Sequence, residues 1–325
     1  MFGWGAIAAA AEPSEWVERL DATGLPAPAD RYHSMGAGFG EVLHAARAHP
    51  AAASFESIGT TVKGRPIWAV HVQDPARDPV RSVLVFAGIH ALEWISSETA
   101  FQFAVDLIVA PPPGVRVTVI PVLNVDGRHR TEADVRAGRD VYRRGNGAGV
   151  DLNRDFAENR EAVAVWRHLI PGYYHTSPGP LSQPESRALD ALADRERYDR
   201  AASLHAFGGY LYAPWAGRWE RPPDWPELLA LGRAMEEAQG RGAYRPKQLS
   251  RWGFFFRAHG AEIDHLYGRY GTRAFLIELT RSGIEPLDPL RTARTYFRWY
   301  GPADPRPHVE RGVAALRALV TTPDP

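Results

Sequence analysis

From Tyr32 onward the apolar positions alternate between two patterns. Val83–Ile89 is an unbroken apolar run, as expected of a central strand covered on both faces. Ile67–Val72 alternates apolar with polar and reads as a strand, and Val115–Leu123, Ala201–His205 and Arg273–Leu279 read as further strands. Between them apolar residues recur at helical spacing. Phe39–His49 predicts a helix stopped by Pro50, and Trp94–Val109 one stopped by Pro111-Pro112-Pro113. Glu185–Arg195, Leu228–Gly240 and Val309–Leu319 predict three more helices. Arg136–Arg160 is polar and Gly-rich, a long loop with short ordered pieces, and such loops inside compact domains are often functional. There is no internal repeat and no low-complexity linker. Strands that alternate with helices predict the α/β class: a single domain with a central mixed, mostly parallel sheet flanked by helices. Residues 1–30 are rich in Ala and Pro and read as a loosely ordered lead-in to a domain spanning 31–325. Sites in open α/β sheets lie beyond the strand ends. His90, His205 and Glu278 all stand where a predicted strand ends.

The chain has 325 residues, 45% hydrophobic and 11% aromatic, which is enough for a sizeable core. Lys plus Arg is 38 and Asp plus Glu is 38, so no global basic field is available for nucleic acid or anionic membrane. No stretch approaches the roughly 20 apolar residues of a membrane span. The absence of cysteine removes disulfide scaffolds, thiolate metal sites and cysteine nucleophiles. Met1–Ala11 is small and apolar and ends in alanines, like the tail of a signal segment, but has no basic region; it leans toward an exported or periplasmic protein. Nothing in the sequence sets an oligomeric state.

The candidate chemistry starts with His90 and Glu93, three apart after the apolar run. A lone His-x-x-Glu arises by chance in a chain with 12 histidines, and a polar turn after a core strand is its ordinary explanation. Ser203-Leu204-His205 and Phe275-Leu276-Ile277-Glu278 change that picture. Two imidazoles and a carboxylate suit a catalytic zinc with one open position, and a further carboxylate is then free to act as a base. An unpaired Glu278 inside a core strand would otherwise be costly.

The block Gly149-Val150-Asp151-Leu152-Asn153-Arg154-Asp155-Phe156 resembles the signature of zinc carboxypeptidases of the carboxypeptidase A type. In that family His-x-x-Glu is followed by Asp-x-Asn-Arg, then Ser-x-His, then a catalytic Glu that closes a strand. All four blocks occur here in that order, with Glu93 to His205 spanning 112 residues and His205 to Glu278 spanning 73. The similarity extends to Tyr32-His33-Ser34 and Gly64-Arg65-Pro66 and covers residues 32–310.

The resemblance implies one zinc per chain, held by His90, Glu93 and His205. It implies that Glu278 is the general base and acid, taking a proton from metal-activated water and passing it to the leaving amine. Asn153 and Arg154 match residues that bind the substrate's terminal carboxylate, for which an Arg fork offers bidentate geometry. Asp151 matches a carboxylate that orients the first zinc histidine, His90; a turn-capping Asp is its ordinary alternative. An Arg that polarises the scissile carbonyl is also implied. Bacterial members that trim cell-wall peptides resemble Arg-x-Asn-x-x-Gly-Val-Asp-Leu-Asn-Arg, a pattern that Arg144 fits better than Arg143.

Two positions depart from the family. Leu92 stands where an Arg is frequent, and Phe256 falls where a mobile Tyr closes over the substrate carboxylate. An apolar lid cannot hydrogen-bond, which puts carboxylate recognition in question but not zinc hydrolysis. Ile263 falls at the position that lines the side-chain pocket and suggests apolar or aromatic terminal residues, while Glu262 and Asp264 beside it leave a polar or cationic preference open. His129, His168, His175, His259 and His265 read as surface or structural. The leading expectation is a zinc metallocarboxypeptidase acting on the last peptide bond of a peptide. The alternatives are a zinc amidase acting on muropeptides or another amide, and a non-catalytic zinc- or peptide-binding module. Retention of Glu278 speaks against the last of these.

Overall fold

A computed structural model describes residues 12–160, 177–253, 256–281 and 295–324. Eight strands form one sheet: β1 (Ala53–Thr60), β2 (Pro66–Val72), β3 (Arg81–Phe86), β4 (Val115–Ile120), β5 (Arg200–Ala206), β6 (Tyr210–Ala213), β7 (Arg245–Gln248) and β8 (Arg273–Leu279). Their order is β1-β2-β4-β3-β5-β8-β6-β7. The β4-β3, β3-β5, β5-β8 and β6-β7 pairs are parallel and the other three antiparallel. This is the mixed α/β sheet expected from the alternating patterns. Every residue of β5 is buried, as are Val83–Phe86 of β3, so both faces of the centre are covered. One group of helices, Met35–Ala48, Trp94–Val109, Trp225–Ala238 and Arg306–Thr321, packs together; Pro184–Glu196 and Glu262–Tyr270 also pack on each other.

The helix expected from Phe39 begins at Met35, because Ser34 caps it by accepting from the Ala37 N–H at 3.2 Å. The glycines at 36, 38 and 40 hide that first turn in the sequence. Gly38 is there for contact: a Cβ would come within 2.4 Å of the Phe101 ring on the neighbouring helix. Residues 12–30 of the presumed lead-in carry a short helix, Pro13–Glu18, whose Trp16 packs edge-on against Phe39 with ring centroids 5.0 Å apart. Residues 1–11 lie outside the described residues. No described helix is long and apolar enough to cross a membrane.

Just before the Ser34 cap, both ring nitrogens of His33 face carboxylates, Nδ1 to Glu98 at 2.7 Å and Nε2 to Glu41 at 3.2 Å. The Glu98 hydrogen bond raises the imidazole to about 9 against the opposing pull of burial. A group raised on folding contributes stability that is fully present below its unfolded pKa of about 6.5 and lost as pH rises toward the folded value. The wild-type protein should therefore exceed His33→Gln in melting temperature at pH 6, and thermal scans should show the gap closing by pH 10. A gap that widens with pH would remove this assignment.

Candidate metal centre and substrate cavity

The adjacent parallel strands β3, β5 and β8 deliver the site at their carboxyl ends. His90 and Glu93 follow β3 in the turn that enters helix Trp94–Val109, His205 is the penultimate residue of β5, and Glu278 the penultimate residue of β8. His205 and Glu278 are direct register partners. The turn after β3 is held by Asn124, whose Nδ2 donates to the carbonyls of Ile89 at 3.2 Å and Gly145 at 3.1 Å. The Ala91 N–H donates to the Arg144 carbonyl at 3.1 Å, so the polar loop that carries Arg144 is fastened beside His90.

Among the described residues, His90, Glu93 and His205 form a group able to hold a metal ion, with ligand atoms within 4.8 Å of one another. His90 Nδ1 lies 2.8 Å from Glu93 Oε1 and 3.1 Å from His205 Nδ1, which is itself 3.1 Å from Glu93 Oε2. The outer nitrogens are already taken. His90 Nε2 meets Asp151 Oδ1 at 3.0 Å, and His205 Nε2 meets Glu262 Oε1 at 2.8 Å. Ionised carboxylates only accept, so each outer nitrogen carries the proton and each neutral ring turns a lone pair inward. Two nitrogen lone pairs and a carboxylate then converge; Arg144 and the Ala206 N–H donate to the carboxylate, but among the described residues nothing donates to the two nitrogens, a donor set suited to a cation. Without one, His205 is pushed up to about 10: burial opposes the charge, but Glu262 and Glu93 outweigh it. The same imidazoles hold Glu93 far below the usual carboxylate range despite its burial. The separations approach the roughly 3.3 Å edge of a tetrahedron with bonds of about 2.0–2.1 Å, so the residues fit zinc.

Asp151 is buried and held well below its ordinary value; burial works against the charge, and Arg144 and His90 overcome it. Arg144 Nε donates to Asp151 Oδ2 at 2.8 Å, and its NH1 to Glu93 Oε1 at 3.2 Å. Arg143 turns away to Asp134. Glu278 is pushed up to about 7 by burial and then by the nearby charge of Glu93, with His205 and Arg144 pulling the other way. Its Oε2 makes no hydrogen bond. Gly208 allows the close approach there, since a Cβ would stand 3.1 Å from that of Glu278.

These groups open onto one cavity of about 390 Å³, lined by His90, Glu93, Arg144, Asn153, Arg154, His205 and Glu278 among others. Asn153 accepts through Oδ1 from the Glu262 N–H at 3.3 Å, which leaves its Nδ2 donors for the cavity. Phe256 also lines it, with its ring 5.3 Å from that of Trp252, and Leu249, Ala258 and Leu276 add apolar wall. Ile263 is fully buried and is not among the lining residues, and Leu92 is buried as well. Neither carboxylate beside Ile263 reaches the wall. Asp264 accepts from Asn159 and from the Ala216 and Gly217 N–H groups, while Glu262 points to His205. That Glu262 contact had no warning in the sequence, where Glu262 opens a helix 57 residues after His205. His259 and His265 are bound to Asn159 and Asp190, away from the cluster. His168 and His175 lie outside the described residues.

The zinc carboxypeptidase family profile matches residues 41–294, and the chain belongs to this family. It is 23% identical to carboxypeptidase O of Bos taurus over 64% of this chain and 59% of that protein. It is 24% identical to carboxypeptidase A2 of Mus musculus over 78% of this chain and 63% of that protein. The chain thus spans about three-fifths of the length of these curated relatives. In structure it is similar to bovine thrombin-activatable fibrinolysis inhibitor, solved with tick carboxypeptidase inhibitor, with a TM-score of 0.73 and 20% identity over 89% of this chain and 96% of that one. It is also similar to carboxypeptidase A of Helicoverpa armigera, with a TM-score of 0.69 and 19% identity over 95% and 78% of the two chains.

Proposed function

We propose that the protein is a zinc-dependent metallocarboxypeptidase that removes the last residue of peptides, with one zinc per chain. The observation that carries this reading is the single cavity that joins three inward-facing metal donors, the unpartnered Glu278 Oε2 and the Asn153–Arg154 pair. Zinc in such a donor set supplies Lewis acidity toward water and toward the scissile carbonyl. The chain's own residues do the rest. Arg154 and Asn153 hold the terminal carboxylate and so fix which peptide bond lies over the donors. Glu278 takes a proton from the attacking water and hands it to the leaving amine. Arg144, anchored on Asp151 and Glu93, presents positive charge where the carbonyl oxygen becomes anionic. Leu249, Phe256, Ala258 and Leu276 favour an apolar terminal side chain, and among the described residues the only acids on the cavity wall are Glu93 and Glu278, both assigned to the reaction centre.

Arg154→Ala should lower kcat/KM for peptides with a free C-terminus by about 10–100-fold, the worth of a charged hydrogen bond of about 1.5–3 kcal/mol. The same peptides with an amidated terminus should change little. Paired assays decide this, and equal loss on both would sink the register role. It would favour the second reading, an amidase acting on muropeptides or another amide. That reading rests on Phe256, whose ring offers no hydroxyl where a Tyr closes over the carboxylate in the related enzymes.

A further inference from the structure

The two imidazoles of the centre are held in matching ways, and one of the two holders is not part of the family resemblance. Asp151 grips His90 from the polar loop. Glu262 grips His205 from the first turn of helix Glu262–Tyr270. Glu262 is completely buried, and its Oε2 makes no hydrogen bond.

We propose that Glu262 is a positioning residue for the metal centre, fixing the tautomer and ring orientation of His205 and thereby setting metal affinity. This rests on the zinc reading given above. The reason lies in the other neighbour of His205 Nε2, the Ser203 hydroxyl at 2.9 Å. A hydroxyl is ambivalent. It can accept from a protonated Nε2, or donate to a bare one and so move the proton to Nδ1, the nitrogen that faces Glu93 and His90. A carboxylate permits only the first arrangement. Glu262 therefore keeps the Nδ1 lone pair directed at the ion, and its charge makes that nitrogen a stronger donor. Its backbone N–H also holds the Asn153 amide at 3.3 Å. One residue thus ties the orientation of the third ligand to that of a group facing the substrate cavity.

The test uses the whole chain as Glu262→Gln and Glu262→Ala beside the wild type. Zinc affinity is read by chelator competition, and ligand geometry by the visible absorption of the cobalt(II)-substituted proteins. Both variants should bind zinc about 10–100-fold more weakly, Ala the more so, and both should show altered cobalt bands. Glu262→Gln is isosteric, and its result stands alone if Glu262→Ala does not fold. Wild-type affinity together with an unchanged cobalt spectrum in Glu262→Gln would overturn the proposal while leaving the metal centre intact. A wild-type chain that binds no zinc would overturn the metal-centre reading, and this one with it.

Discussion

Glu278→Gln should retain its zinc and lose about 10²–10⁴ in kcat, the usual worth of a positioned general base. The amide keeps the shape of the carboxylate, so the close approach to Gly208 and the β5–β8 register survive. What disappears is the ability to take a proton. The native environment is built to make that ability useful: burial raises the group to about 7, and its Oε2 is committed to no other donor. A cation at the neighbouring donors would pull the value down from there, toward the ionised form that a base needs. Steady-state rates with zinc content measured on the same sample settle the matter. A loss of only a few fold would assign the base to another residue.

His205→Ala should lose the metal itself. Removing an outer partner of a ligand typically costs 10–100-fold in affinity, and removing one of three ligands costs more. The change also takes from the buried Glu262 Oε1 its ring partner, whereas Glu93 keeps His90, Arg144 and the Ala206 N–H. Elemental analysis after dialysis should find zinc near one per chain in the wild type and near zero in the variant, with far-UV circular dichroism confirming that both are folded. Full occupancy in His205→Ala would remove the ligand assignment.

The parts of the fold that were legible are those where one side chain pattern meets one environment. Helix Trp94–Val109 and strand β8 begin and end where the apolar spacing places them. What was missed lacks that pattern for identifiable reasons. β1 is an edge strand with no fully buried position, and β6 and β7 are four residues each. Helix Val125–Arg136 buries Arg128, Glu132 and Asp134, pairing Arg128 with Glu132 and Asp134 with Arg139 and Arg143 of the following loop, so its inward face looks polar in sequence. The candidate metal donors could be picked out because they fall in a fixed order of blocks, and the structure groups them, His205 near the end of β5 and His90 and Glu93 in the turn after β3. Glu262 could not be picked out. It is a polar residue in a helical first turn, and only tertiary packing brings it to His205. Ile263 shows the opposite limit: a position matched by spacing from Glu278 sits in the core rather than on the cavity wall.

The ligands also differ in how far apart they are along the chain. His90 and Glu93 are neighbours, but His205 joins Glu93 across 112 residues, and only through the pairing of β3 with β5. An unfolded chain can offer an ion two adjacent ligands and no third until a long loop has been closed. An ion held by these three residues would therefore not nucleate the sheet; it would arrive once the slow, non-local step is complete. Bound late, it would stabilise the native state more than the transition state for folding. Its kinetic effect would fall on the rate of unfolding, as a latch on a finished structure.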